Sequence, residues 1–151
     1  MLKLGDPFPK FSLLNQDGAE ISNSDLAGNS TVVYFYPKDD TSGCTAEACG
    51  LQESAPELGD VKVIGVSPDP VKSHKKFADK YGLKFTLLAD TEKELCTACG
   101  IWVEKSMYGK KYMGVERTTY LVDKEGKISH IWNKVKPQGH EKEILSVINS
   151  D

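Results

Sequence analysis

The sequence lacks both a membrane-spanning segment and an excess of basic residues. No apolar run among its 151 residues approaches the roughly 20 residues that a helix needs to cross a bilayer. Lys and Arg total 19 against 22 for Asp and Glu, which gives a formal net charge of −3. Nucleic-acid binding usually needs a basic face. We therefore expect neither a membrane nor a nucleic acid as a partner.

The N-terminus also lacks the features of a targeting segment. "MLKLGDPFPKF" is too polar and too rich in proline for a signal peptide, and it is not rich in arginine and serine like a transit sequence. We therefore expect a cytosolic protein, in which four cysteines are more useful as reactive thiols than as structural disulfides. A single domain over residues 1–151 is long enough to bury a core without cross-links.

Apolar runs alternate with helix-forming segments along the chain. "STVVYFYP", "VKVIGVSP" and "FTLLAD" are apolar almost throughout, which is typical of strands buried on both faces of a mainly parallel sheet. The predicted helices are "CTAEACGLQESAPEL", "DPVKSHKKFADKYG", "TEKELCTACG" and "GHEKEILSVINS". Asp69 and Thr91 are expected to cap two of them, and Gly50 and Pro56 should weaken the first.

Two hairpins are predicted beside this alternation. "FSLLNQDGAEIS" has a strong turn signal at Asp17 and Gly18, and "TTYLVDKEGKISHIW" turns at Gly126. The sequence therefore predicts an α/β fold: a central, mainly parallel sheet flanked by helices on both faces, with an N-terminal β-hairpin.

Cys44 is the first candidate for a reactive residue. It follows a predicted buried strand and lies in the first turn of the next helix, where free N–H groups and the helix dipole stabilise a thiolate. Functional sites of open α/β sheets form at such strand ends. Small Gly43 should leave room for a reactant. The alternative is a packing role, because free cysteine is among the most buried residue types.

The segment "YPKDDTSGCTAEACG" resembles the active site of the peroxiredoxins, in particular of the bacterioferritin comigratory protein or PrxQ branch. Pro37, Thr41 and Cys44 match the family spacing of proline, three residues, threonine, two residues and cysteine. The resemblance continues through "GVSPDPVKSHKKFADKYGLKFTLLAD", "GVERTTYLVDKEGKI" and "KVKPQGHEKEIL". It implies a thioredoxin-like fold and a peroxidase without haem, flavin or metal. One departure is Ser42, where the branch commonly has proline.

The resemblance also assigns roles to individual residues. Cys44 would be the peroxidatic cysteine, which attacks a peroxide oxygen and becomes a sulfenic acid. Thr41 would offer its hydroxyl to the peroxide or the thiolate, and Pro37 would shield the site from water. Arg117 would stabilise the thiolate and the departing oxygen. Taken singly, these three residues could equally be a helix cap, a strand end and a surface ion pair.

The same resemblance implies the substrates and the reductant. Hydrogen peroxide and alkyl hydroperoxides would be reduced, and thioredoxin or a similar dithiol protein would return the electrons. A monomer is expected.

Cys49 lies five residues after Cys44, too far for a disulfide within an intact helix. Five residues advance a helix by about 7.5 Å and place the two Cα atoms about 8.7 Å apart. A disulfide needs Cα atoms within roughly 7 Å. The resemblance implies that Cys49 resolves the sulfenic acid of Cys44, and in that case the first helical turns must unwind.

Cys96 and Cys99 form a second pair with CxxC spacing. At the end of a helix the dipole opposes a thiolate, so we expect slow nucleophiles that simply pack on one helix face. They could instead resolve or relay the oxidation of Cys44, act as an independent disulfide oxidoreductase, or complete a four-cysteine zinc site with Cys44 and Cys49. A redox-sensing module that signals through oxidised Cys44 is a further alternative.

The chain has three histidines, which are scattered along it. His74, His130 and His140 are expected to be solvated or structural.

Overall fold

The computed structural model describes residues 2–149. The strands are β1 (Ser12–Asn15), β2 (Glu20–Ser22), β3 (Thr31–Phe35), β4 (Lys62–Ser67), β5 (Thr86–Ala89), β6 (Trp102–Met107), β7 (Lys110–Val115), β8 (Thr118–Val122) and β9 (Ile128–Trp132). The helices are α1 (Ser42–Glu53), α2 (Ala55–Leu58), α3 (Val71–Tyr81), α4 (Glu94–Ala98) and α5 (His140–Ile148). A short 3-10 helix covers Asn23–Asp25. Within residues 2–149, no helix is long and apolar enough to span a bilayer.

Seven strands form the main sheet in the order β2-β1-β5-β4-β3-β8-β9. The three central strands, β3, β4 and β5, are parallel to one another, and the flanking strands run antiparallel. The predicted parallel centre, the N-terminal hairpin and the hairpin of β8 and β9 are therefore confirmed. Gly18 and Gly126 have φ of 79° and 85° in the two turns, a backbone region that glycine enters without steric cost.

The central strand β3 is buried along its whole length and divides the core in two. Val33 and Phe35 point to a cluster that includes residues of α4 and the N-terminal segment. Val32 and Tyr34 point to the other cluster, which includes residues of α1, α2, α3 and α5. Successive strand residues face opposite sides of a sheet, so an unbroken apolar run is what two covered faces require.

Gly65 in β4 is required by close packing. A Cβ atom there would lie 2.8 Å from the ring of Tyr34 on the neighbouring strand. Glycine at this position therefore makes room for the buried Tyr34 ring.

The helix boundaries differ from the predicted ones at three points. The first predicted helix is divided at Ser54, because Pro56 cannot continue it and lies instead in the first turn of a new short helix that begins at Ala55. Asp69 does not cap α3: Pro70 is the N-cap, and the Asp69 carboxylate accepts bonds from elsewhere. Thr91 does not cap α4 either, because the Asp90 carboxylate accepts bonds from the backbone N–H groups of residues 95 and 96.

One element has no counterpart in the sequence-based prediction. Strands β6 and β7 form a separate two-stranded ribbon that is largely exposed. The connection has positive φ at Tyr108 (52°) and Gly109 (78°), as a tight hairpin with a type I′ turn requires. Two of the six residues in each strand are charged and most are exposed, so the sequence shows no clear apolar alternation that would indicate a hairpin. The ribbon returns the chain to the sheet just before Arg117.

Candidate active site

Cys44 lies in the first turn of α1, and six residues separate this helix from the end of β3. Thr41 is the N-cap, with an extended backbone, and its carbonyl accepts the N–H of Thr45 at 2.8 Å. Cys44 is only 1% exposed. The thiol is therefore shielded from bulk water at the end of a helix where backbone N–H groups favour negative charge.

Arg117 brings a positive charge to this sulfur from a distant part of the chain. It directly precedes β8, and its Nη2 donates to Cys44 Sγ at 3.1 Å. Its Nη1 donates to Glu47 Oε1, also at 3.1 Å. A guanidinium in van der Waals and hydrogen-bond contact with sulfur stabilises a thiolate, and it can equally stabilise negative charge that develops on an oxygen bound there.

Gly43 makes room for protein atoms, whereas the sequence predicted that it would make room for a reactant. A Cβ atom at this position would lie 3.0 Å from Arg117 Nη2 and 3.1 Å from Pro137 Cγ. The space beside Cys44 thus holds the guanidinium and a proline ring, and it is not simply open to a reactant. A larger residue at position 43 would push Arg117 away from the sulfur.

Pro37 and Thr41 lie in the loop between β3 and α1. Pro37 is half-buried, and Thr41 is exposed. The Thr41 hydroxyl donates to the carbonyl of Lys38 at 3.0 Å, and it makes no side-chain bond as a helix cap. Because a hydroxyl has one hydrogen to donate, Thr41 must release Lys38 before it can donate to a peroxide or a thiolate.

Glu47 belongs to the site and was missed in the sequence. Burial raises the pKa of its carboxyl from 4.5 to about 7, against the opposing effect of Arg117 and with a further contribution from Glu141. Its Oε2 has no hydrogen-bond partner within residues 2–149. The available signal was its spacing, since residues three apart share one helix face, which places Glu47 beside Cys44.

Tyr34 is a second buried polar group in this region. It is fully buried, and its hydroxyl also finds no partner in the described part of the chain. Burial, and after it the charges of Glu47 and Cys44, keeps the pKa of Tyr34 well above its usual value. The phenol therefore stays neutral, and it lies in the same core cluster as Cys44.

Cys49 lies on the same continuous helix and is half-buried, and both Cys44 and Cys49 are free thiols. Burial, with help from Glu53, raises the pKa of the Cys49 thiol. The intact helix holds the pair in the separated arrangement expected from its geometry. The structure thus places Cys44 and Arg117 in direct contact and does not pair Cys44 with Cys49.

Cys96 and Cys99 lie far from this chemistry. They belong to the core cluster on one face of the sheet, whereas Cys44 belongs to the cluster on the other. Burial, with a smaller contribution from the charge of Asp90, raises the pKa of each thiol to about 12. Thiols that do not ionise near neutral pH are poor nucleophiles and poor zinc ligands.

One group of possible metal ligands occurs within residues 2–149. It consists of Asp39, Asp69 and His74, and it includes no cysteine. The oxygen and nitrogen atoms involved already bond to one another or to neighbouring donors. The donor set is therefore satisfied by hydrogen bonds and does not fit a metal site well, and a four-cysteine cluster is not formed in this region.

Comparisons with known proteins point to one family. A family model described as the AhpC/TSA family matches residues 4–131. Peroxiredoxin Bcp of Escherichia coli K12 is 44% identical over 147 residues, covering 96% of this chain and 94% of the relative. Peroxiredoxin Bcp of Bacillus subtilis 168 is 42% identical over 149 residues, covering 97% and 95%.

Solved structures give the same result for the fold. A mutant of Xanthomonas campestris peroxiredoxin Q has a TM-score of 0.90 at 38% identity, over 99% of this chain and 97% of that one. Structures concerning the alkyl peroxide reduction activity of the Xanthomonas campestris bacterioferritin comigratory protein have a TM-score of 0.89, with the same identity and coverage.

Proposed function

The chain belongs to the AhpC/TSA family as a peroxiredoxin of the Bcp/PrxQ branch, with the thioredoxin-like fold predicted from its sequence, and we propose that it reduces peroxides through Cys44. The observation that carries this assignment is the contact of Arg117 with the Cys44 sulfur at 3.1 Å, in the first turn of α1. Hydrogen peroxide and alkyl hydroperoxides are the proposed substrates. The activity named for the Xanthomonas protein supports the second class.

The first step forms one bond and breaks another. The Cys44 thiolate attacks the outer oxygen of the peroxide, so that an S–O bond forms as the O–O bond breaks. Cys44 becomes a sulfenic acid, and the leaving alkoxide or hydroxide takes up a proton to become an alcohol or water. Arg117 is placed to stabilise the sulfur anion and then the oxygen anion. Thr41 would orient the peroxide after releasing Lys38, and Pro37 would limit water.

The second step requires a conformational change. The Cys49 thiolate attacks the sulfenic sulfur, an S–S bond forms as the S–O bond breaks, and the hydroxide that leaves takes up a proton from solvent to become water. The continuous helix Ser42–Glu53 keeps the two sulfurs apart, so its first turns must unwind before this step. The break at Ser54 and the mid-helix Gly50 lower the cost of opening α1.

The remaining parts of the cycle rest on the family alone. We propose that thioredoxin or a similar dithiol protein reduces the Cys44–Cys49 disulfide by exchange, and that the protein works as a cytosolic monomer. Cys96 and Cys99 are proposed to have a packing role. Their burial and their pKa of about 12 disfavour the alternatives in which they resolve Cys44 or act as an independent oxidoreductase.

A disulfide map after a single oxidation tests the proposal. Reduced protein would receive one equivalent of hydrogen peroxide and would then be alkylated, digested and analysed by mass spectrometry. We expect a Cys44–Cys49 bond, with Cys96 and Cys99 alkylated. A bond from Cys44 to Cys96 or Cys99 would leave Cys44 as the peroxidatic cysteine. It would make Cys96 or Cys99, and not Cys49, the resolving residue.

Two variants complete the design. Cys44→Ser should abolish peroxide consumption, and a double Cys96→Ser, Cys99→Ser variant should retain it with a thioredoxin system as electron donor. If Cys44 stayed reduced while Cys96 and Cys99 paired, the proposed function would be wrong. If Cys44 were oxidised once with no turnover by any dithiol donor, a sensing role would replace catalysis.

A further inference from the structure

The loop that carries Pro37 and Thr41 is tied to the protein interior through one buried carboxylate. Asp39 is 7% exposed. Its Oδ1 accepts a bond from the hydroxyl of Tyr36 at 2.6 Å, and its Oδ2 accepts one from Ser73 at 2.7 Å. His74 Nδ1 lies 2.7 Å from the same Oδ2. Three hydrogen-bond partners therefore hold the two oxygens of this buried carboxyl group.

His74 has both ring nitrogens on acceptors and is fully buried. Nε2 lies 2.9 Å from the carbonyl oxygen of Leu88, which can only accept, so this nitrogen carries a hydrogen. Nδ1 faces the Asp39 carboxylate, whose other partners are already donating to it. The arrangement is therefore a buried histidine–carboxylate pair that joins α3 and β5 to the loop.

The backbone of Asp39 is held by a second carboxylate. Its N–H donates to Asp69 Oδ2 at 2.8 Å, and Ser67 Oγ donates to the same oxygen at 2.6 Å. Asp69 and Ser67 lie at the end of β4, where the chain turns into α3. This is the reason that Asp69 does not serve as a helix cap.

The next residue of the loop has a strained backbone that also needs external support. Asp40 has φ of +56°, a region that side-chain-bearing residues seldom occupy. Its carboxylate accepts bonds from Lys80 at 2.8 Å and Tyr81 at 2.7 Å, both near the end of α3. The loop conformation is thus imposed by α3 from both ends of the helix.

We propose that His74 is a positioning residue for the peroxidase reaction: through Asp39 it fixes the loop of residues 37–41, and with it the places of Pro37 and Thr41 relative to Cys44. The inference rests on the proposed function. His74 does not contact the sulfur, so it would act on the approach of the peroxide and not on the nucleophile itself. A loss of order in the loop would misplace the group that orients the substrate while leaving the Cys44–Arg117 contact intact.

The rate constants of two reactions of the Cys44 sulfur distinguish a positioning role of His74 from a general loss of structure. Rapid mixing in a Cys49→Ser background would give the rate constant for oxidation of Cys44 by hydrogen peroxide. Mass spectrometry of the Cys44 peptide would give the rate of alkylation by iodoacetamide, which needs a thiolate but no oriented peroxide. The variants are His74→Asn and Asp39→Asn, with Ser73→Ala as a milder change in the same network.

The matched control is Ile128→Ala. Ile128 is buried in the core cluster on the opposite side of the sheet from α1, so its truncation destabilises the fold without touching the loop. All variants would be measured at a temperature where circular dichroism shows them folded. We expect His74→Asn and Asp39→Asn to lose about 10- to 100-fold in the peroxide rate and to keep the alkylation rate. Ile128→Ala should keep both rates.

The other outcomes overturn the inference. Wild-type peroxide rates in a folded His74→Asn variant would exclude a positioning role, and so would an equal fall of both rates. If His74→Asn did not fold, a Ser73→Ala variant with an unchanged peroxide rate would decide against the proposal. Failure of the proposed function has a separate signature, because the wild-type Cys44 itself would then show no preference for peroxide over iodoacetamide.

Discussion

At the scale of single residues, the Arg117 guanidinium donates one hydrogen bond to the Cys44 sulfur and another to the Glu47 carboxyl. Replacing it with methionine keeps the apolar stem and removes the charge that we propose stabilises the transition state. We expect Arg117→Met to lower the rate constant for oxidation by hydrogen peroxide about 10²- to 10³-fold. Rapid-mixing fluorescence would measure it.

Arg117→Lys is the matched variant. Lysine keeps the charge but is a point cation that cannot donate in a planar fork to two partners. Its rate should lie between those of the wild type and Arg117→Met. A methionine variant as fast as the wild type would remove Arg117 from the catalytic site.

Glu47 makes stability depend on pH. The carboxyl titrates at about 7 in the folded protein against an ordinary value of 4.5, so the folded state holds more protons between these values. The stability that the protonated Glu47 carboxyl contributes is therefore fully present below pH 4.5 and is lost as the pH rises through about 7. The free energy of unfolding falls by roughly 3 kcal/mol over this range. Glu47→Gln cannot ionise and should lack this loss.

Urea unfolding of both proteins across this pH range would measure the effect. The difference between the two free energies of unfolding isolates Glu47, because the other titrating groups are common to both proteins. The advantage of Glu47→Gln should grow with pH. Parallel curves would show that the folded carboxyl titrates normally.

At the scale of secondary-structure elements, the proposed cycle needs α1 ordered for the first step and open for the second. Ser42 is its first residue, where the N–H has no intrahelical acceptor, and Thr41 has the extended backbone (φ −94°, ψ 157°) that precedes proline well. Ser42→Pro should therefore fit without strain and stabilise reduced α1 by about 0.5 to 1 kcal/mol.

The added stability of α1 should slow only one of the two steps. Formation of the Cys44–Cys49 disulfide should become slower in Ser42→Pro, because unwinding must overcome the added stability, while oxidation of Cys44 should keep its rate. Quenched alkylation after rapid mixing would separate the two steps, and Ser42→Ala is the control. An unchanged rate of disulfide formation would show that unwinding at the first residues of α1 does not limit this step.

At the scale of the whole molecule, oxidation should loosen one helix and leave the sheet intact. Hydrogen exchange is fast wherever a helix opens locally. Amides of residues 42–53 should lose protection when the Cys44–Cys49 disulfide forms, whereas those of β3, β4 and α4 should keep it. In Cys49→Ser, oxidised only to the sulfenic acid, α1 should remain protected. Loss of protection throughout the sheet would indicate global unfolding instead.

The sequence by itself determined the features that depend on near neighbours. Buried strands, turn glycines, the end of α3 at Gly82 and the place of Cys44 at a helix start follow from local patterns and backbone preferences. The family resemblance named Arg117 as a partner of Cys44 although 73 residues separate them. The exposed ribbon of β6 and β7 was missed, because its charged strands bury little apolar surface and so have a weak pattern.

Only the tertiary structure decided which groups share an environment. Whether Glu47 is an ordinary surface acid or a carboxyl with a pKa of about 7 depends on the strand and the arginine that cover it. Cys96 and Cys99 lie in the core cluster on the other side of the sheet from Cys44, and burial raises the pKa of both thiols. His74, expected to be solvated or structural, is buried between Asp39 and a strand carbonyl. Desolvation and charge pairing act through space, between residues far apart in the chain, so no local pattern records them.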